Sequence, residues 1–225
     1  MRVYHTAGLT AVWRSMGKVD KSSIRQVNFP IRTLGYMLGL LDPNSVATIA
    51  QRTRIIDSFI RKLQPKYVVE IGSGYSSRYK RFNKIKFHEL DLPYFSKKNE
   101  STIPFEIGKD KLNLDVKEAL FIVEGVTMYL QKRQIMDLLK QIKKYKGHLL
   151  IDFFNLESAS RKKNIREKLY KSIFKLVIGR NYLFDFRIKN VLDGISLLKG
   201  LGYKKIEYCP YKIPKTLDIL FHAKL

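Results

Sequence analysis

The sequence is poor in residues that cross-link chains or bind metals. Cys209 is the only cysteine, which excludes an intrachain disulfide, and its place at a predicted strand end favours a buried, inert thiol. No apolar run approaches the roughly 20 residues that cross a bilayer, and residues 1–14 contain no signal-like apolar block, so we expect a cytoplasmic protein. No metal site is predicted, because no second potential ligand stands at helical spacing from any of the single histidines: His5, His88, His148 and His222.

Acidic residues are also scarce. Twenty Asp and Glu stand against 43 Lys and Arg, giving a net charge of +23, which favours nucleic acid, an anionic membrane surface or an acidic substrate as the partner. Much of the excess is lysine on predicted helix faces, and the chain has neither an arginine-rich block nor an RNA-binding module. We therefore favour a small-molecule or acidic substrate over nucleic acid, and a compositional bias without function explains the charge equally well. No pattern indicates an oligomeric state.

Short β-rich runs alternate with amphipathic segments along the 225 residues, a length that suits one α/β domain. The alternation predicts a mostly parallel sheet covered on both faces by helices. A short loop joins the last two strands, which predicts an antiparallel hairpin at one edge. The predicted strands are 67–71, 86–90, 120–123, 148–154, 203–208 and 217–223, and the predicted helices are 49–63, 131–144 and 190–198.

The first predicted strand runs into a glycine turn, Gly72-Ser73-Gly74. Glycines let the backbone turn tightly and approach a bound molecule closely, and open α/β sheets bind ligands at this edge. No third glycine is spaced for a dinucleotide, and no Lys-Ser/Thr pair marks a phosphate loop. The motif indicates a cofactor site of another kind, and a glycine turn without function is the alternative.

Two further strand ends carry acidic residues at the same edge. Asp91 ends the second strand, where its carboxylate can accept hydrogen bonds from both hydroxyls of a ribose, whereas Glu89 points to the same face from further inside the strand. Glu124-Gly125 follows the third strand. A charge there is costly unless paired, and a sulfonium or ammonium of a cofactor is a suitable partner. Tyr129 can reach the same crevice and is the candidate catalytic residue, with a half-buried core tyrosine as the alternative.

The order of these motifs resembles that of the leucine carboxyl methyltransferase family, which includes O-methyltransferases of polyketide biosynthesis. The likeness covers nearly the whole chain and is carried by Arg52-Thr53, Glu70–Arg78, Glu89–Pro93 and Glu124–Leu130. It implies a doubly wound α/β fold, with a mostly parallel, seven-stranded Rossmann-like methyltransferase sheet and an antiparallel C-terminal hairpin. It also implies S-adenosylmethionine as the cofactor. We expect a single domain, 1–225, with an N-terminal helical cap (1–48) and a lid-like helical insertion (156–189).

The resemblance also implies roles for individual residues. Arg52 grips the methionine carboxylate of the cofactor while neighbouring Arg54 faces water, Asp91 holds the ribose, and Glu124 faces the methionine end. Glu106 stands roughly where the family has an acidic residue near the adenine. The other cofactor contacts expected from the same motifs are Glu70, Gly72, Ser73, Gly74, Arg78, Glu89 and Gly125.

Two departures from the family pattern concern the cofactor site. Ser76-Ser77-Arg78 stands where the family commonly has an aspartate before Thr-Arg, and the segment between Asp91 and Leu120 is short. Both bear on adenine recognition and on the local loop. They leave open a cofactor-binding protein that has lost catalysis.

The expected activity is O-methylation of a carboxylate or hydroxyl, on a small molecule or a protein C-terminus. Methyl transfer chiefly requires that donor and acceptor be held near attack distance. A hydroxyl acceptor needs a general base and a carboxylate does not; since the sequence offers no base beyond the cofactor set, a carboxylate is favoured. RNA methylation is the alternative that the charge alone suggests, but the stacking aromatic motif that it would require beside the glycine loop is missing. The basic apolar stripe in 158–180 could be a lid, rest on an anionic membrane or pack on the sheet.

Overall fold

A seven-stranded sheet forms the centre of the computed structural model, which describes residues 4–96, 101–155, 186–212, 216 and 218–225. The strand order is β3-β2-β1-β4-β5-β7-β6. The sheet confirms the predicted α/β methyltransferase-like architecture with its antiparallel C-terminal hairpin. The strands are β1 (Tyr67–Ile71), β2 (Lys86–Asp91), β3 (Thr102–Pro104), β4 (Glu118–Val123), β5 (Lys146–Phe154), β6 (Lys204–Cys209) and β7 (Asp218–Lys224).

The sheet brings the three sequence motifs to one level. Strands β1 to β5 run parallel, and β7 pairs antiparallel with both β5 and β6. Ile71 is paired with Leu90 on one side and with Val123 on the other. Gly72, Asp91 and Glu124, the next residue of each strand or loop, therefore meet at the carboxyl edge. The strand order reverses between β1 and β4, and such reversals open a ligand crevice in α/β sheets.

Seven α-helices lie within the described residues. The longest, α3, begins six residues before the predicted helix 49–63. This earlier start was not predicted, because the first turn of the helix is polar and carries no apolar stripe. Asp42 caps that turn by accepting a hydrogen bond from the Ser45 amide at 3.2 Å, and Pro43 occupies the first helical position. The helices are α1 (Tyr4–Met16), α2 (Phe29–Leu41), α3 (Pro43–Leu63), α4 (Arg78–Arg81), α5 (Pro93–Ser96), α6 (Lys132–Ile142) and α7 (Val191–Gly200), with 3-10 turns at Ser23–Gln26 and Thr127–Tyr129.

Alternate residues of the central strands pack on opposite faces of the sheet. On one face, Val68 packs with Ile56 and Ile60 of α3. On the other, Val69 belongs to the larger core that includes Leu138 of α6. Cys209 joins the first of these clusters, and burial raises the pKa of its thiol to about 12.

Of the helices before the sheet, α3 packs on a sheet face and α1 lies over the carboxyl edge, with α2 packed against α1. Helices α1 and α2 pack so closely that a Cβ added at Gly35 would lie 2.8 Å from Cβ of Val12, and the Trp13 indole donates to the Gly35 carbonyl at 2.9 Å. None of the helices in the described ranges is long and apolar enough to cross a membrane. The expected lid-like insertion 156–189 lies outside the described residues as far as 185, as does the whole basic stripe 158–180.

Candidate active site

A cavity of about 410 Å³ lies outside the carboxyl ends of β1, β2 and β4. Helix α1 covers it with Thr6, Ala7, Thr10 and Arg14. Nine of the twelve sequence-predicted site residues line this cavity: Arg52, Gly72, Ser73, Gly74, Asp91, Glu106, Glu124, Gly125 and Tyr129. The other three, Glu70, Arg78 and Glu89, do not.

The glycine turn after β1 forms one wall of the cavity. Gly72 has a φ of +74° and Gly74 a φ of +56°, values that side chains with a Cβ rarely adopt. The Gly72 amide donates to the Leu90 carbonyl at 2.7 Å. A Cβ at Gly72 would lie 2.2 Å from Cγ2 of Val126. Glycine is thus required by the turn itself.

Asp91 is held at the tip of β2 by two backbone amides. The Gly74 amide donates to its Oδ2 at 2.5 Å and the Leu92 amide to its Oδ1 at 2.7 Å. Burial raises the pKa of Asp91 to about 6, although both amide donors act in the opposite direction. The carboxylate is therefore fixed in place at the cavity wall and keeps lone pairs for further donors.

A buried charge network closes the other end of the cavity. The Arg52 guanidinium donates from Nε to Glu124 at 3.0 Å and from Nη1 to both Asp152, at 2.6 Å, and Asp218. Nη2 of Arg14 lies 3.0 Å from Oε2 of Glu124. Arg52 faces inward, whereas Arg54 is exposed and donates to the backbone carbonyl of Gly17. The predicted orientation of the two arginines is confirmed, and the contact of Arg52 with a methionine carboxylate stays a prediction.

The network shifts the pKa values of Glu124 and Asp152 in opposite directions. Burial alone would raise the pKa of Glu124, but Arg14, Arg78 and Arg52 lower it well below its usual range. Burial raises the pKa of Asp152 in spite of Arg52, and neighbouring Asp218 adds to that effect. Glu124 consequently stays ionised at neutral pH, paired with three guanidiniums.

Glu70 and Arg78 lie beneath the cavity, and their assignment as cofactor contacts is corrected. Arg78 has no exposed surface and binds three carboxylates, those of Asp57, Glu70 and Glu124. A guanidinium in the interior needs such partners. Glu70 and Arg78 thus stabilise the floor of the site and hold Glu124 from below.

Glu89 also lies away from the cavity. It is two residues inside β2, paired with Thr102 of β3, and its Oε2 accepts a hydrogen bond from Ser101 at 3.1 Å. Its depth in the strand, which made it the weaker candidate in sequence, removes it from the cavity lining.

Ser77 links the segment after the glycine turn to the N-terminal cap. Its amide donates to Oδ2 of buried Asp20 at 3.2 Å, and its hydroxyl donates to Oδ1 of the same carboxylate at 2.5 Å. Asp20, which follows α1, therefore holds the segment after the glycine turn.

The short segment after Asp91 still builds the cavity end opposite the network. The edge strand β3 pairs with β2, and the Phe105 amide donates to the Asp91 carbonyl at 2.7 Å. This directs Phe105, Glu106 and Ile107 to the cavity wall. The Glu106 carboxylate is half-exposed and 2.8 Å from Nζ of Lys109.

Tyr129 lies on the 3-10 turn after β4 and lines the cavity beneath α1. Burial raises the pKa of its phenol to about 12, a shift that a hydrogen bond with Thr6 partly opposes. The phenol is therefore neutral at physiological pH, able to donate a hydrogen bond and unable to act as a general base.

Several cavity and network residues were missed from sequence. Thr6, Thr10 and Arg14 are polar residues four apart in a mostly apolar helix, and this spacing places them on one face. Asp152 and Asp218 stand within or beside apolar strand sequence, where a charge must find a buried partner. Both patterns are local and can be read from the sequence alone.

Comparisons with known proteins bear on the fold. No family model and no curated protein sequence matches the chain. Among solved structures, human N-acetylserotonin methyltransferase in complex with S-adenosylmethionine matches with a TM-score of 0.54 at 14% identity, over 84% of this chain and 56% of the human one. The chain thus spans little more than half the length of the human enzyme.

Two bacterial structures match in the same way. The 1,6-didemethyltoxoflavin-N1-methyltransferase of Burkholderia thailandensis, solved with S-adenosylhomocysteine, gives a TM-score of 0.52 at 14% identity over 84% of each chain. A Thermobifida fusca protein classed as a methyltransferase gives 0.59 at 9% identity, over 97% of this chain and 93% of that one. The chain therefore has the fold of the class I S-adenosylmethionine-dependent methyltransferases. These comparisons do not confirm the leucine carboxyl methyltransferase family.

Proposed function

We propose that the chain is an O-methyltransferase that binds S-adenosylmethionine in this cavity and methylates a carboxylate, on an acidic small molecule or a protein C-terminus. The main support is the convergence of Gly72, Asp91 and Glu124 at one level of the sheet edge, inside a cavity that α1 covers. Structural neighbours solved with S-adenosylmethionine or S-adenosylhomocysteine support the same cofactor. The order of motifs supports an enzyme of the leucine carboxyl methyltransferase type.

The lining residues fit this cofactor at both ends. Among the described residues, two buried polar atoms of the lining have no hydrogen-bond partner, Oγ of Ser73 and Nε of Arg14, and buried polar atoms are normally paired. The Asp91 carboxylate can accept from two ribose hydroxyls, and Phe105 and Ile107 can flank the adenine. Glu124 and Arg14 suit the ammonium and carboxylate of the methionine end.

The acceptor is inferred from what the cavity cannot do. Among the described residues, its lining contains no histidine, lysine or cysteine. Tyr129 stays protonated, Glu124 is held ionised by three arginines, which makes it a weak base, and Asp91, whose pKa is about 6, is assigned to the ribose hydroxyls. The cofactor supplies an electrophilic methyl group and a neutral leaving group, so the protein has to provide position rather than proton transfer. An acceptor that is ionised at neutral pH, such as a carboxylate, meets this limit.

The test measures cofactor binding and the identity of the methyl acceptor in separate experiments. Calorimetry should detect S-adenosylhomocysteine binding by the wild-type chain, lost in Asp91→Ala and retained in the matched variant Glu89→Ala. Methyl-labelled cofactor is then offered with mixed carboxylic acids, phenols, peptides with free C-termini, and RNA. Label that mild alkali releases as methanol identifies a methyl ester. Alkali-stable label, or label in RNA, would contradict the carboxylate proposal without contradicting cofactor binding.

A further inference from the structure

Helix α2 carries large apolar side chains on opposite sides, with Arg32 and Thr33 as its polar residues, and the described part of the chain covers only one of these sides. Ile31, Gly35 and Leu38 are buried against α1 and its neighbours. The opposite side exposes large apolar side chains: Phe29 at 76%, Tyr36 at 41%, Met37 at 58%, Leu40 at 74% and Leu41 at 51% of their surface. At 100° per residue these five project from one arc of roughly 140°. An apolar helix face normally packs against another apolar surface.

The part of the chain that contains α2 carries mostly basic charges. Residues 1–48 contain six lysines and arginines and two acidic residues. Neither acid is exposed: Asp20 is 2% accessible and binds Ser77, and Asp42 caps α3. The segment just before α2 exposes Lys18, Lys21 and Arg25. An apolar face that follows a segment whose exposed charges are basic, here called the basic border, is complementary to an anionic lipid surface, where acyl chains receive the apolar side chains and headgroups receive the cations.

We propose that the exposed face of α2 docks the protein on a bilayer that contains anionic phospholipid. Phe29, Tyr36, Met37, Leu40 and Leu41 enter the interface, while the preceding lysines and arginine contact the headgroups. Because α2 packs against α1, and α1 covers the cavity, the docked face lies one helix away from the site. The proposal does not depend on the proposed methyl transfer.

The test must separate docking through α2 from general attraction of a chain of charge +23. Flotation of the full chain is measured with vesicles of phosphatidylcholine alone and of phosphatidylcholine with phosphatidylglycerol in equal parts. Leu40→Ser is compared with Leu192→Ser, because Leu192 on α7 is equally exposed, at 72% against 74%. We expect binding to the anionic vesicles only, weakened about tenfold by Leu40→Ser, the order expected for one leucine side chain, and unchanged by Leu192→Ser.

Three outcomes would overturn the proposal. Equal binding of both variants would show attraction by charge alone, and equal binding to neutral vesicles would remove the role of the basic border. Absence of vesicle binding, together with a dimer in sedimentation that Leu40→Ser dissociates, would assign the face to a second copy of the chain. Both leucines are on the surface, so thermal melting of each variant should match the wild type and exclude misfolding as the cause.

Discussion

Lowering the pH through 6 should release the cofactor by protonating Asp91. Its carboxylate lies at the cavity wall, and burial raises its pKa to about 6. Only the ionised form can accept hydrogen bonds from both ribose hydroxyls on unprotonated oxygens. At pH 5 about one molecule in ten carries the ionised form, so the dissociation constant should be about ten times that at pH 7 and above.

Stability at this site changes in the opposite direction. The folded-state pKa of Asp91 lies above the ordinary value of 3.8, so the folded chain holds more protons at this group between those two values. The contribution of Asp91 to the free energy of unfolding therefore decreases as pH rises through this window and is regained as pH falls. Weaker binding at pH 5 in a chain whose circular dichroism is unchanged would thus not be a consequence of unfolding at this site.

The assay is calorimetric titration with S-adenosylhomocysteine from pH 5 to pH 7.5 at constant ionic strength. Asp91→Asn should bind about 10–100-fold more weakly at pH 7.5, the loss of a charge-assisted hydrogen bond or two, and its affinity should not vary between pH 5 and 7. Glu89→Gln, altered outside the cavity, should keep the wild-type profile. If Asp91→Asn retains the same pH dependence as the wild type, another group titrates and the reasoning fails.

Three further substitutions test the site. Arg52→Lys should lower the free energy of unfolding by about 2–3 kcal/mol in urea denaturation and weaken cofactor binding, because lysine cannot hold three carboxylates in one plane. Arg54→Lys, at an exposed position, should change the free energy of unfolding by less than about 0.5 kcal/mol. Gly72→Ala should cost about 1–3 kcal/mol in the same assay through its positive φ, with Gly200→Ala, which meets open space, near neutral. Tyr129→Phe should slow methyl transfer less than about tenfold and leave its pH profile unchanged, whereas a loss beyond about a hundredfold would indicate proton transfer by Tyr129.

The fold was readable from local patterns. Every predicted strand is present within two residues of its expected bounds, because apolar alternation and terminal glycines act over a few residues. Strand β1 illustrates this, since Gly72 ends its apolar run. The start of α3 was not predicted, because its first turn, which Asp42 caps, is polar and carries no apolar stripe.

The site was only partly readable, because depth and long-range pairing are not local. Sequence placed Glu70 in the cofactor set but could not show that it lies below the cavity, whereas the depth of Glu89 within its strand was already a sign against it. Arg52 was identified as functional, and its contacts with Asp152 and Asp218 could not be foreseen, because they depend on how β5 and β7 pair. The family resemblance carried Arg78 into the cofactor set, whereas three-sided pairing with carboxylates holds it in the interior.

The ion pairs of Arg52 couple helix α3 to residues on or beside strands that come much later in the chain. Its partners Glu124, Asp152 and Asp218 follow it by 72, 100 and 166 residues, so loops of very different length must close before this charge is fully neutralised. If the last strand opened, Arg52 would lose Asp218, and β5, which carries Asp152, would lose its antiparallel neighbour. Opening of β7 and loss of the methionine end of the cavity therefore belong to one cooperative unit. A ligand that binds at that end also holds the last strand closed, although β7 itself does not line the cavity.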